Sequence, residues 1–179
     1  VDPALAEFDR HTTPLDQFRE LVNAIHERSG RLFIDIPINH TGWASWLQIH
    51  HPNWFVRNED RSFQSPSAWG VTWEDLSKLD YSRHDLWQYM ADVFLYWCRQ
   101  GVDGFRCDVA YMVPTDFWEQ ARTELEKIKP DIMMLAEADK PELLLKAFDM
   151  DYSWALHAAL NKVMLEGAFT SALFQRISF

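Results

Sequence analysis

The chain has 179 residues, of which 47% are apolar and 25% charged, a balance that suits one globular domain with a sizeable core. A formal net charge of -10 without a basic run argues against nucleic acid or an anionic membrane surface as partner. No apolar stretch approaches the roughly 20 residues that span a membrane.

The first predicted helix is signed by Thr13-Pro14, a capping residue followed by a proline at the first helical position. Leu15, Phe18, Leu21, Val22 and Ile25 share one helical face, and Gly30 ends the segment. RLFIDIPI, Arg31 to Ile38, is a short, nearly continuous apolar run and predicts a strand buried on both faces of a parallel sheet. A long connection from Thr41 to Arg83 follows, carrying Trp43, Trp46, Trp54, Phe55, Phe63, Trp69 and Trp73. Loops of that length in compact domains are usually functional. Its rings predict a small packed subdomain, with one or two of them free to stack on a sugar.

The second helix is expected from Asp85 to Gln100, capped by Ser82 and stopped by Gly101, with a stripe of Leu86, Tyr89, Val93 and Trp97. Val102 to Cys107 reads as a strand, Asp116 to Lys129 as a helix closed by Pro130, and Ile132 to Glu137 as a strand. Pro141 to Ala147 reads as a short helix, Phe148 to Tyr152 as a strand, Ser153 to Glu166 as a helix stopped by Gly167, and Thr170 to Ile177 as the start of another. Such alternation implies βαβ units and a parallel sheet. No strand leads into a Gly-rich phosphate loop, which disfavours an open dinucleotide-binding sheet. A (β/α) barrel fits better, because Asn39-His40, Asp108 and Glu137 each stand where a barrel strand hands over to its loop. Cys98 and Cys107 form no disulfide framework, and the seven histidines show no metal-ligand spacing.

The carboxylates carry the chemistry. Arg106 and Asp108 in GVDGFRCDVA share one side of an extended segment. Alone they read more readily as a structural ion pair than as a working one. Arg106 favours an ionised Asp108, whereas Glu137 follows the apolar Met133 to Ala136, a setting that favours a protonated carboxyl. One carboxyl of each kind on neighbouring strands is the equipment of a retaining glycosidase. That mechanism needs them about 5–5.5 Å apart, and adjacent strands lie about 4.8 Å apart.

Three stretches resemble conserved regions of the α-amylase family, glycoside hydrolase family 13. DIPINHTG (Asp35 to Gly42) resembles the first, GVDGFRCDVA the second and MLAEAD (Met134 to Asp139) the third. The opening VDPAL and the segment from Phe148 to His157 are similar as well. The resemblance implies an α/β fold: a partial (β/α)8 TIM barrel over residues 1–179, about strands 3 to 6 with their helices. Residues 41–83 would form an insertion like the family's domain B. It implies Asp108 as nucleophile, Glu137 as general acid/base, Arg106 holding the nucleophile, His40 bonding the sugar and Asp35 in support. Asn39 would be a ligand of a structural Ca2+, so the sequon Asn39-His40-Thr41 is not expected to carry a glycan. The implied partner is an α-glucan such as starch, glycogen or a maltooligosaccharide, cleaved with retention and without an organic cofactor.

The sequence departs from the family in two ways. Many members carry Lys-His at the third and fourth positions after the nucleophile, where this chain has Tyr111 and Met112. A later Asn-His-Asp region, whose aspartate stabilises the transition state, does not occur after Glu137. The expectation is therefore a piece of the catalytic barrel, inactive by itself. The alternative is a non-catalytic glucan-binding domain, which retention of both Asp108 and Glu137 disfavours.

Overall fold

The computed structural model describes residues 12–167 and 170–171. The helix expected from Thr170 to Ile177 falls almost wholly outside the described residues, as do the first eleven residues. Helix α1 (Pro14–His26) begins as its sequence requires. Thr13 accepts from the Asp16 backbone N–H and Asp16 returns a bond to the Thr13 N–H, a complete capping box with Pro14 in the first turn.

Four strands form a parallel sheet: β1 (Phe33–Ile36), β6 (Gly104–Cys107), β7 (Met133–Ala136) and β8 (Met150–Asp151), in that spatial order. Between β1 and β6 come β2 (His40–Gly42), α2 (Trp46–His50), β3 (Ser67–Ala68), β4 (Val71–Thr72), β5 (Leu76–Lys78) and α3 (His84–Arg99). Helix α4 (Thr115–Ile128) connects β6 to β7, and α5 (Trp154–Glu166) follows β8. The alternation and parallel pairing follow the predicted βαβ pattern.

Register decides the two faces of the sheet. Ile34, Phe105 and Met134 stand side by side, as do Ile36, Cys107 and Ala136. This face packs on α3 and α4: Phe94 meets Phe105 edge-on at 4.8 Å and Trp118 at 6.0 Å, and all three rings are buried. The opposite face carries Asp35, Arg106 and Leu135 in one row. Gly104 permits close approach on that face, since a Cβ there would lie 2.1 Å from Cε1 of Phe33 and 2.7 Å from the Met133 carbonyl oxygen.

Several sequence expectations shift. The first strand is shorter than Arg31 to Ile38 and is not buried on both faces. Phe33 is 41% exposed and Asp35 is also exposed, because they stand on the face opposite the one that α3 and α4 cover. Pro37, just past its end, has no N–H to extend the ladder. Helix α3 is capped by no side chain at Arg83; the Ser82 N–H instead donates to Asp80. Its buried residues are Leu86, Trp87, Met90, Ala91 and Phe94, a stripe rotated from the expected one. Tyr89, Val93 and Trp97 are only partly buried against the core. Pro141–Leu145 is a 3-10 helix, and the last expected strand contracts to β8.

The long connection folds as two small antiparallel pairs, β2 with β5 and β3 with β4, around α2. Trp54 and Phe55 are buried within it, whereas Trp43, Trp46 and Trp69 are exposed. No helix among the described residues is long and apolar enough to cross a membrane.

Candidate active site

The site lies at the C-terminal ends of the parallel strands, as expected for a barrel-type arrangement. Arg106 is its hub. Its Nη1 donates to Asp35 at 2.9 and 3.2 Å and to Asp108 Oδ1. Its Nη2 pairs with Glu137 Oε1 at 2.8 Å, and its Nε faces the Tyr152 hydroxyl at 3.4 Å. Burial works against the guanidinium's charge. The hydrogen bonds to Tyr152, Asp35 and Asp108 and the charge of Glu137 outweigh it, raising the pKa above an arginine's ordinary value.

Parallel register explains why these groups meet. Asp35 and Arg106 are direct neighbours across β1 and β6, and Asp108 follows two residues later on the same side. The Glu137 N–H donates to the Cys107 carbonyl at 3.0 Å, which sets Glu137 beside the end of β6. The side chains of Asp108 and Glu137 are 25% and 21% exposed, sheltered yet open to a ligand, whereas Asp35 is 60% exposed.

The surround of Glu137 differs from the apolar one predicted. Met134 and Ala136 point to the helix side of the sheet, because side chains alternate along β7. Glu137 itself meets donors on both oxygens: Arg106 on Oε1, and the Val109 N–H on Oε2 at 2.9 Å. Val109 makes that bond from a left-handed backbone, φ 40°. A β-branched residue pays about 1–3 kcal/mol for such a conformation. The turn also starts the 3-10 segment Ala110–Met112.

A cleft of about 350 Å³ opens over these groups, lined by His40, Trp69, Trp73, Asp75, Asp108 and Glu137 among others. Burial holds the His40 imidazole below its ordinary pKa, against the opposing charges of Asp108 and Asp75. Its Nδ1 is buried without a hydrogen-bond partner. Buried polar atoms are normally paired, so this nitrogen is an exception within the described residues.

Of the sequence-selected residues, the structure brings Asp35, Arg106, Asp108 and Glu137 into one network and sets His40 on the same cleft. Asn39 lies apart. It is 1% exposed, its Nδ2 donates to the Met112 thioether at 3.5 Å, and its Oδ1 has no partner. That oxygen is one donor a Ca2+ ion could use, but calcium takes six to eight oxygens and a thioether is not among its preferred ligands. The described residues hold no cluster of three or more His, Cys, Asp or Glu suited to a metal. Asn39 Oδ1 alone does not make a calcium site, and no step is routed through the ion.

Sequence reasoning missed Val109, Tyr152 and the particular aromatics of the cleft. Tyr152 was findable, since it follows β8 as Asp108 follows β6. Trp69 carried no comparable signal, since a two-residue hairpin turn is usually marked by Asn-Gly, Asp-Gly or Gly-Gly. Trp69 and Gly70 both have positive φ, 52° and 78°.

The model of the alpha amylase catalytic domain matches residues 7–153. The intracellular maltogenic amylase of Bacillus subtilis strain 168 is 32% identical over 140 residues, covering 72% of this chain and 24% of that protein. An alpha-1,4-glucan:maltose-1-phosphate maltosyltransferase of Picrophilus torridus is 28% identical over 148 residues, covering 78% of this chain and 23% of that one. The chain thus spans about a quarter of the length of these curated relatives. Among solved structures, an alpha-amylase from Lactobacillus plantarum superposes with a TM-score of 0.82 at 32% identity, over 90% of this chain and 41% of that one. A noncanonic maltogenic alpha-amylase from Thermotoga neapolitana gives 0.80 at 30% identity, over 89% and 37%. With parallel strands bearing the Asp-Arg-Asp-Glu network and a family match over most of its length, the chain belongs to the alpha-amylase family, within its catalytic domain.

Proposed function

We propose that the protein to which this chain belongs cleaves α-glucosidic bonds of starch, glycogen or maltooligosaccharides with retention of configuration. The observation that carries this reading is one guanidinium holding Asp108 and Glu137 on adjacent strand ends beneath a cleft. Two nitrogens on a single carbon keep the carboxyl groups within a short span, the arrangement that double displacement requires.

In this reading Asp108 is the nucleophile. Its carboxylate oxygen bonds to the anomeric carbon as the bond to the leaving oxygen breaks. Glu137, once protonated, gives its proton to that oxygen. A water then passes a proton back to Glu137 and attacks the anomeric carbon, releasing Asp108. A sugar hydroxyl in place of water would make the same sequence a transfer. Arg106 aims both carboxyl groups, Asp35 anchors Arg106, and neutral His40, which lines the cleft, hydrogen-bonds the sugar. Residues 41–83 act as the domain B-like insertion that walls the cleft.

Asp108→Asn keeps the size of the side chain but removes its nucleophilic charge. In the full-length protein it should lower turnover of a maltooligosaccharide at least about 1,000-fold. Soaking with a slow-releasing activated glucoside should leave a covalent adduct on Asp108, seen by mass spectrometry. Turnover within about tenfold of wild type would sink the assignment.

A further inference from the structure

Tyr152 stands just past the end of β8, partly buried, against a side of the Arg106 guanidinium that none of its carboxyl partners takes. Nη1 serves Asp35 and Asp108, and Nη2 serves Glu137, which leaves Nε to the Tyr152 hydroxyl at 3.4 Å. The ring adds a second contact. Its centroid lies 5.8 Å from Arg106 Cζ, within the roughly 6 Å reach of a cation–π interaction.

The tyrosine is itself held in place. Its N–H donates to the Ala138 carbonyl at 3.0 Å, which ties it to the segment that follows Glu137. Asp149 accepts from the Met134 N–H at 2.7 Å and pairs with Arg122 at 2.7 Å, so the short strand β8 is anchored at both ends. Trp154, which with Trp69 walls a small neighbouring cleft, lies 5.8 Å from the Tyr152 ring.

Geometry gives the hydroxyl its consequence. A guanidinium is planar, so the direction of Nε–H sets those of both Nη groups. Asp35 shares Nη1 with Asp108 and is 60% exposed, and an exposed ion pair fixes an orientation weakly. The phenol also accepts its bond without bringing charge. Asp35, Asp108 and Glu137 already share this one cation, and a further carboxylate would compete with them for it.

Resting on the glycosidase reading above, we infer that Tyr152 is a positioning residue of the reaction: its hydroxyl sets the plane of the Arg106 guanidinium, so that one nitrogen reaches Asp108 while the other reaches Glu137.

The test is a double-mutant cycle in the full-length protein with maltoheptaose as substrate. Tyr152→Phe keeps the ring and removes the hydroxyl. It should lower kcat about tenfold, the effect of losing one hydrogen bond to a charged group, with KM within about twofold of wild type. Circular dichroism should show the same folded fraction. Arg106→Lys removes the Nε that the hydroxyl binds. In that background Tyr152→Phe should lower kcat by less than about twofold, because residues that act through one contact do not add. An equal loss in both backgrounds, a wild-type kcat in Tyr152→Phe, a raised KM with kcat unchanged, or a loss matched by a smaller folded fraction would overturn the assignment. Wild-type protein inert toward maltoheptaose would instead overturn the glycosidase reading, and this role with it.

Discussion

Arg106 does the work of several residues because its guanidinium is planar and presents donors in a fixed fork. Asp35, Asp108, Glu137 and Tyr152 all converge on it, from strands β1, β6 and β7 and the end of β8. A lysine would keep the charge but could not hold carboxylates on both sides at fixed angles. Arg106→Lys in the full-length protein should therefore lower kcat on a maltooligosaccharide at least about 100-fold, with a smaller change in KM. Steady-state kinetics checks this, and a variant within about threefold of wild type would show that the fork is dispensable. Val109 works by a different means. Its strained backbone delivers an N–H to Glu137, so the residue after Asp108 fixes the orientation of the Glu137 carboxyl.

Elements hold this geometry from the opposite end of the sheet. Asp103 precedes β6 and is 6% exposed. It accepts from the Leu32 N–H at 2.8 Å, contacts His26 of α1 at 2.8 Å, and pairs with Lys129 after α4 at 2.9 Å. One carboxylate thus ties α1, β1, β6 and α4 together. Burial alone would raise its pKa, but the bonds from Leu32, His26 and Lys129 outweigh that and hold it below the ordinary 3.8. A carboxyl depressed on folding stabilises the fold above its unfolded pKa, and that stabilisation is lost as the pH falls through the folded value. Asp103→Ala should cost about 3 kcal/mol at pH 7, and its gap to wild type should narrow as the pH falls below about 4. Urea unfolding at a series of pH values measures both. A loss under about 1 kcal/mol at pH 7 would show that the contacts are incidental.

At the scale of the whole molecule, the described residues leave both edges of the parallel sheet unpaired. Among the described residues β1 pairs only with β6, and β8 only with β7. The face bearing Asp35 is accessible, and Phe33 on that same face is partly exposed. Unpaired edges and uncovered apolar faces recruit other chains. The 179-residue chain expressed by itself should self-associate, with a light-scattering mass above 21.1 kDa that rises with concentration. It should also fail to hydrolyse maltooligosaccharides. A monomer with one cooperative melt would contradict the first expectation, and measurable hydrolysis the second.

Local rules alone were enough for much of this protein. Thr13-Pro14 and Gly167 marked helix ends because capping depends on a few adjacent residues. The alternation of elements and the position of polar residues after each strand pointed to Asp108 and Glu137 before any contact was known. Other features depended on residues distant in sequence. The burial of Met90 and Phe94 rather than Val93 and Trp97 depends on how α3 rotates onto the sheet. The polar surround of Glu137 depends on register with β6 and on a backbone turn at Val109. The selection of Trp69 and Trp154 as cleft walls, with Trp54 buried, depends on where the hairpin lands across the chain. Sequence determined which groups were present, where α1 begins and where α5 ends, because those follow from neighbours within one turn. Only tertiary structure decided which of them meet, because one guanidinium can bind Asp35, Asp108 and Glu137 together only after parallel pairing has aligned three strands.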